Sequence, residues 1–122
     1  YALCPEVSLS ELTDQVRRAL AYLWREADRF GYDRGRIVVS GHSAGGHLTA
    51  MMMATDWSAF AAGLPADLVA GGLPISGVYD VEPVRMTPLN DLVRMDEAEA
   101  PDLVRRLHLS LIELRQDTEK QA

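Results

Sequence analysis

The chain predicts an α/β fold in which parallel strands are joined by crossover helices and one strand runs into a nucleophile elbow. Gly41-His42-Ser43-Ala44-Gly45 matches Gly-x-Ser-x-Gly and directly follows the β-branched run Arg36-Ile37-Val38-Val39. A second apolar run, Leu68 to Gly77, lies beyond a helix-compatible stretch. The resulting order of helix, strand, helix, strand implies a parallel sheet with right-handed crossovers. Such sheets place ligands at the carboxyl ends of their strands, so Ser43 and the segment after Gly77 are expected on one rim.

Tyr1 to Glu6 reads as the last residues of a strand entering a loop at Pro5. The segment has no initiator Met, and this start is read as not the natural one. Cys4 is read as a small buried hydrophobe, because no cationic neighbour is visible to activate its thiol. Ser8-Leu9-Ser10-Glu11 has capping-box form. From there Leu9, Leu12, Val16, Ala19, Leu20, Leu23, Ala27 and Phe30 recur at helical steps to Gly31, predicting one amphipathic helix. Asp14, Arg17, Arg18, Arg25, Glu26 and Arg29 form its solvated face, and Trp24 packs beside the stripe. Tyr32 to Gly35 is a turn and Arg36 to Ser40 a short buried strand.

The helix after Ser43 contains Leu48, Met51, Met52, Met53 and Ala54, and a helix apolar on most faces belongs inside. Its methionines are read as core filler, and Asp56-Trp57 as its end. Leu68 to Gly77 is the next strand, weakened by Pro74, which lacks a ladder N–H. Val78 to Pro83 is the candidate active-site loop, in which Asp80 is read as a carboxylate fixing loop geometry. Pro83 and Pro88 mark irregular structure, Leu89 to Met95 a short helix, and Asp96 to Pro101 a solvated acidic link. Residues 101–122 form a divergent tail whose leucine spacing favours helix.

The elbow carries the chemistry. A serine hydroxyl is a weak nucleophile unless it is held out at a fixed angle near a base and oxyanion donors. A sharp strand-to-helix turn at Ser43 supplies that hold, and Gly41 and Gly45 are expected to remove side chains that would collide where strand and helix close. Ala44, at the helix start, offers its free N–H as the oxyanion donor. His42, Gly46, Tyr79 and Asp80 are the residues expected to shape the site. The spacing excludes a dinucleotide or phosphate loop, since neither Gly-x-Gly-x-x-Gly nor Gly-Lys-Ser/Thr occurs.

Composition narrows the partners. A formal charge of -6 with basic residues interspersed among acids argues against nucleic acid. No apolar run approaches membrane length, so no membrane partner is expected. A lone cysteine forms no internal disulfide, and with no signal peptide the default location is cytoplasmic. No metal cluster or cofactor motif is present, and none is predicted. The expected partner is a small-molecule substrate, and a homodimer is compatible with this reading.

Gly41-His42-Ser43-Ala44-Gly45-Gly46-His47-Leu48 together with Ile75-Ser76-Gly77-Val78-Tyr79-Asp80-Val81-Glu82-Pro83 resembles the kynurenine formamidase (arylformamidase) group of the α/β hydrolases. Leu3-Cys4-Pro5-Glu6 and Leu89-Asn90-Asp91 fit the same group. The resemblance covers about residues 1–100 and implies a single partial α/β-hydrolase domain, the central portion of a larger one. It also implies hydrolysis of N-formylkynurenine to kynurenine and formate, through an acyl-enzyme on Ser43. Two parts of the family's apparatus are not visible: the His-Gly-Gly-type oxyanion loop, and strands bearing the triad acid and base. Asp91, Asp96 and Asp102 precede His108, so the family's chain order is formally present, but His108 lies in a leucine-rich segment and is read as structural. His42 and His47 stand too close to Ser43 along the chain to serve as base, and are read as shaping the site or matching the family signature. The chain alone is therefore expected to be incomplete and nearly inert. The alternatives are a carboxylesterase for small acyl esters and a non-catalytic fragment.

Overall fold

The long first helix begins where local capping and a distant carboxylate meet. In the computed structural model, which describes residues 1–104, α1 spans Leu9–Arg25, and Ser8 Oγ accepts from the Glu11 N–H at 3.1 Å. The Glu11 carboxylate does not return the bond; it pairs with Arg18 and accepts from Gln15. Glu99, far along the chain, instead accepts from the Ser10 N–H at 2.8 Å, placing a negative charge on the first turn. The link expected to be wholly solvated is thus partly structural: Met95 and Ala100 are buried beside it.

The expected single helix divides at Glu26, and α2 covers Ala27–Phe30 before Gly31 at φ 74°. The Tyr32 hydroxyl donates to the Leu23 carbonyl at 2.5 Å, the acceptor that the Ala27 N–H would use in an unbroken helix. Arg17 is a second correction, since it is buried rather than solvated. Its Nε donates to Thr55 Oγ1 at 3.0 Å while its guanidinium pairs with Asp14, which ties α1 to the end of the helix after Ser43.

Strand β1 is Val38–His42, two residues later than expected. Asp33 accepts from the Gly35 N–H at 2.9 Å and draws Arg34–Arg36 into a 3-10 turn. The strand is not buried throughout: Val38 is 67% exposed, because β2 (Gly71–Ile75) is its sole described neighbour. The pair is parallel, in register from Val38 opposite Gly71 to His42 opposite Ile75. The Ser43 N–H donates to the Ile75 carbonyl at 2.9 Å, which turns Ile75, Leu73 and Gly71 toward β1. Pro74 is out of phase with them, so the N–H it lacks would have pointed away from the ladder, and the strand passes through it.

Helix α3, Ala44–Met53, packs across both strands and against α1. Met51 and Met52 are buried as expected of core filler, whereas Met53 is 40% exposed. Asp56 does not end this helix but starts α4, Trp57–Phe60, by accepting from the Ala59 N–H at 3.0 Å. Trp57 is fully buried and meets Phe60 edge to face. These residues join Leu20, Ala21, Leu64, Leu68, Val81, Met95, Ala100 and Leu103 in one core. Beyond β2, α5 (Glu82–Arg85) takes Pro83 into its first turn, where a missing N–H is tolerated. Helix α6 is confined to Asn90–Val93, ended by Arg94 in a left-handed conformation and by the Asn90 side chain bridging both Met95 backbone groups. Residues 1–6 form a turn rather than a strand end, with the Glu6 N–H donating to the Leu3 carbonyl at 2.9 Å. Residues 99–104 are helical; the rest of the expected tail helix, with His108, lies outside the described residues. No described helix is long and apolar enough to cross a membrane.

Candidate functional site

Ser43 occupies the single residue between β1 and α3, at φ 55° and ψ -115°. A β-branched strand followed at once by a helix leaves no room for a longer loop, and the reversal falls on this one backbone position. Its strain is held by bonds on both sides. The Ser43 N–H reaches the Ile75 carbonyl at the end of β2, and its carbonyl accepts from the His47 N–H at 3.1 Å in the first turn of α3. The side chain is left exposed on the rim at the carboxyl ends of the strands. Ala44, Gly45 and Gly46 are the first three residues of α3, so their N–H groups have no carbonyl four residues back within the helix. The Ala44 N–H, adjoining Ser43, is free to face an anion.

The glycines divide this work differently from the expectation. A Cβ on Gly41 would lie 2.3 Å from the Gly45 carbonyl oxygen, so Gly41 is required where strand and helix close. A Cβ on Gly45 would meet nothing within 4 Å, and the collision expected there does not arise. Gly46 holds the second close approach, since its Cβ would lie 2.8 Å from both the Gly77 Cα and the Ile75 carbonyl oxygen. Spacing along the chain points to Gly45 because it mirrors Gly41 about the serine. The helix rotates the next residue, Gly46, onto β2 instead.

Ser43 and Ala44 stand at the edge of a cavity of about 360 Å³. Its walls are mainly apolar and come from four parts of the chain, represented by Leu3, Leu12, Leu48, Val81 and Met95. The loop after β2 supplies Val78 and Val81, whereas Tyr79 and Asp80, expected to shape the site, are not among the lining residues. Tyr79 lies over Gly77, with its ring 2.6 Å from where a Cβ there would sit. Asp80 accepts from the Glu82 N–H at 3.2 Å and so starts α5. His42 ends β1 with an exposed side chain. Cys4 also reaches the cavity; it is half-buried, and burial, followed by the Glu99 charge, raises its thiol pKa.

His47 is the functional-site candidate that sequence reasoning placed least well. It is 3% exposed and lines the cavity with Ser43. Its Nδ1 lies 2.7 Å from the Val78 carbonyl, and its buried Nε2 has no partner among the described residues. Burial lowers its pKa, while the Val78 bond opposes the shift, so the ring is neutral near pH 7. A one-turn spacing from Ser43 was visible in the chain, but its bond to a carbonyl 31 residues away was not. Among the described residues, no cluster of His, Cys, Asp and Glu could hold a metal ion.

A BD-FAE family model matches residues 1–112. A kynurenine formamidase of Danio rerio is 30% identical over 97 residues, covering 80% of this chain and 31% of that protein. A kynurenine formamidase of Salmo salar is 31% identical over 97 residues, with the same coverage. The chain thus spans about a third of the length of these curated relatives. No solved structure matches.

Proposed function

Because this chain belongs to the BD-FAE family, an α/β-hydrolase-type family, we propose that it carries the nucleophile of a serine hydrolase of arylformamidase type. The observation that carries the reading is Ser43 at φ 55° between β1 and the N-terminus of α3, exposed at the mouth of an apolar cavity. This is the arrangement of a nucleophile elbow. The similarity to kynurenine formamidases supports an N-formyl arylamine such as N-formylkynurenine as substrate.

In the proposed reaction, Ser43 Oγ attacks the formyl carbon as a general base takes its proton. The carbonyl oxygen becomes an oxyanion beside the Ala44 N–H, where a helix N-terminus favours negative charge. Collapse breaks the C–N bond, the protonated base gives its proton to the departing arylamine, and a formyl ester remains on Ser43. Water then attacks that ester, releasing formate and restoring the serine. The base, its orienting carboxylate and a second oxyanion donor come from outside the described residues. The cavity beside Ser43 accommodates the aryl leaving group, since a formyl group needs far less than 360 Å³.

The size and apolarity of the same cavity also favour a second reading, a carboxylesterase whose acyl chain occupies it. The test uses the full-length product of the reading frame that contains this segment. A fluorophosphonate probe is expected to label Ser43, the Ser43→Ala variant is expected to resist labelling, and N-formylkynurenine is expected to give stoichiometric formate. Labelling that survives in Ser43→Ala removes Ser43 as nucleophile. Labelling with hydrolysis of small acyl esters but no formate release selects the esterase. The 122-residue chain alone is expected to label slowly; a rapid burst from it would show that no outside base is needed.

A further inference from the structure

Two strands and one helix determine where Ser43 sits, but the opposite wall of its cavity is a loop, Val78 to Val81, whose own local bonds do not reach Ser43. One buried side chain joins the two. His47 lies in the first half of α3, and its Nδ1 is 2.7 Å from the Val78 carbonyl. A carbonyl can only accept, so Nδ1 carries the proton, and the bond is a directed link from the serine's helix to the cavity wall. The link is short and enclosed, and it bridges 31 residues of sequence. Beside it the packing is tight, because Gly46 rests on Gly77 with no room for a methyl group.

We infer that His47 is a positioning residue, which clamps the loop after β2 against the turn bearing Ser43 and thereby sets the width of the cavity. This rests on the reading of Ser43 as nucleophile. The side-chain nitrogen of asparagine stands where Nδ1 stands and can donate to the same carbonyl, whereas leucine fills the space without a donor and glutamine places its amide one atom further on.

The experiment compares His47→Asn, His47→Leu and His47→Gln in the full-length product. His47→Asn is expected to keep KM for N-formylkynurenine near the wild-type value. His47→Leu is expected to raise KM about tenfold, the scale of one buried hydrogen bond lost, with a smaller change in kcat. Hydrogen exchange of residues 78–82 is read alongside, and these amides are expected to exchange about tenfold faster in the leucine variant and at the native rate in the asparagine variant. Equal KM and equal exchange in the asparagine and leucine variants would overturn the inference. Should the leucine variant not fold, glutamine takes its place, and rescue by glutamine equal to rescue by asparagine would also overturn it. Failure of wild-type protein to label at Ser43 refutes the nucleophile reading, while the exchange comparison still decides whether His47 clamps the loop.

Discussion

Both strands of the parallel pair end on a serine with positive φ, Ser43 at 55° after β1 and Ser76 at 48° after β2, and both serines are exposed on the same rim. The segments after the two serines differ. Ser43 leads without a break into α3, so a row of unclaimed N–H groups begins at the next residue. Ser76 leads into Gly77 and a loop, and the next helical turn starts only at Glu82. The glycines follow the same division, because Gly41 and Gly46 let α3 close onto the ends of the strands around Ser43. Backbone strain by itself therefore does not make a catalytic serine. Strain aims the side chain, and the helix start beside it supplies the field that a developing oxyanion needs.

The strongest way to break this comparison is to remove each hydroxyl in turn. Ser43→Ala is expected to lower formamidase turnover in the full-length product by at least about 10⁴-fold, since a nucleophile acts as part of a unit. Ser76→Ala is expected to leave turnover within about threefold, as a residue outside the reacting groups does. Comparable losses in both would give the two strand ends equal standing in the chemistry and erase the difference between them.

Next in size is the closure of α3 on the strands. Gly41→Ala and Gly46→Ala are each expected to destabilise the fold by about 3 kcal/mol, because the atoms met are backbone and cannot swing aside. Gly45→Ala, which meets nothing, is expected to be neutral or to stabilise by up to ~1 kcal/mol through helix propensity. Denaturant unfolding of the three variants measures this, and a Gly45→Ala loss as large as that of Gly41→Ala would restore the symmetric pattern expected from the motif.

His47 sharpens the comparison through pH. Its folded pKa lies below the ordinary 6.5, with burial the main cause. The unfolded chain therefore takes up a proton at higher pH than the folded one. Its contribution to stability is complete above about 6.5 and is lost as pH falls from there through the folded pKa. The melting temperature of wild-type protein is expected to drop across that window more steeply than that of His47→Asn, which has no group to titrate. Parallel curves would mean that this imidazole is not the group responsible. The smallest effect is expected at Ser76, where Ser76→Gly relieves the positive φ for a net gain of about 1 kcal/mol.

Much of the first part of the chain was legible because its signals are local. Ser8 accepts from Glu11, Gly31 takes the left-handed position after α2, and the β-branched run before Ser43 becomes a strand that reverses directly into a helix. The site was less legible away from the serine. Tyr79 and Asp80 attract notice as polar residues in a loop after a strand, yet Val78 and Val81 reach the cavity. Polarity marks candidate chemistry in a sequence, whereas the register of a loop against a helix decides which side chains turn inward.

The sequence by itself determined the parallel α/β arrangement, the place of the turn at Ser43 and the helix start at Ala44. Each of these depends on hydrophobic period or on the sterics of a few adjacent residues. The tertiary structure alone decided that Gly46 rather than Gly45 is pressed against β2, that Arg17 is buried against Thr55, that Glu99 charges the first turn of α1, and that His47 holds Val78. These are meetings between segments distant in sequence, and they are selected by the angle at which α3 crosses the strands and α1, a quantity that no short stretch of the chain encodes.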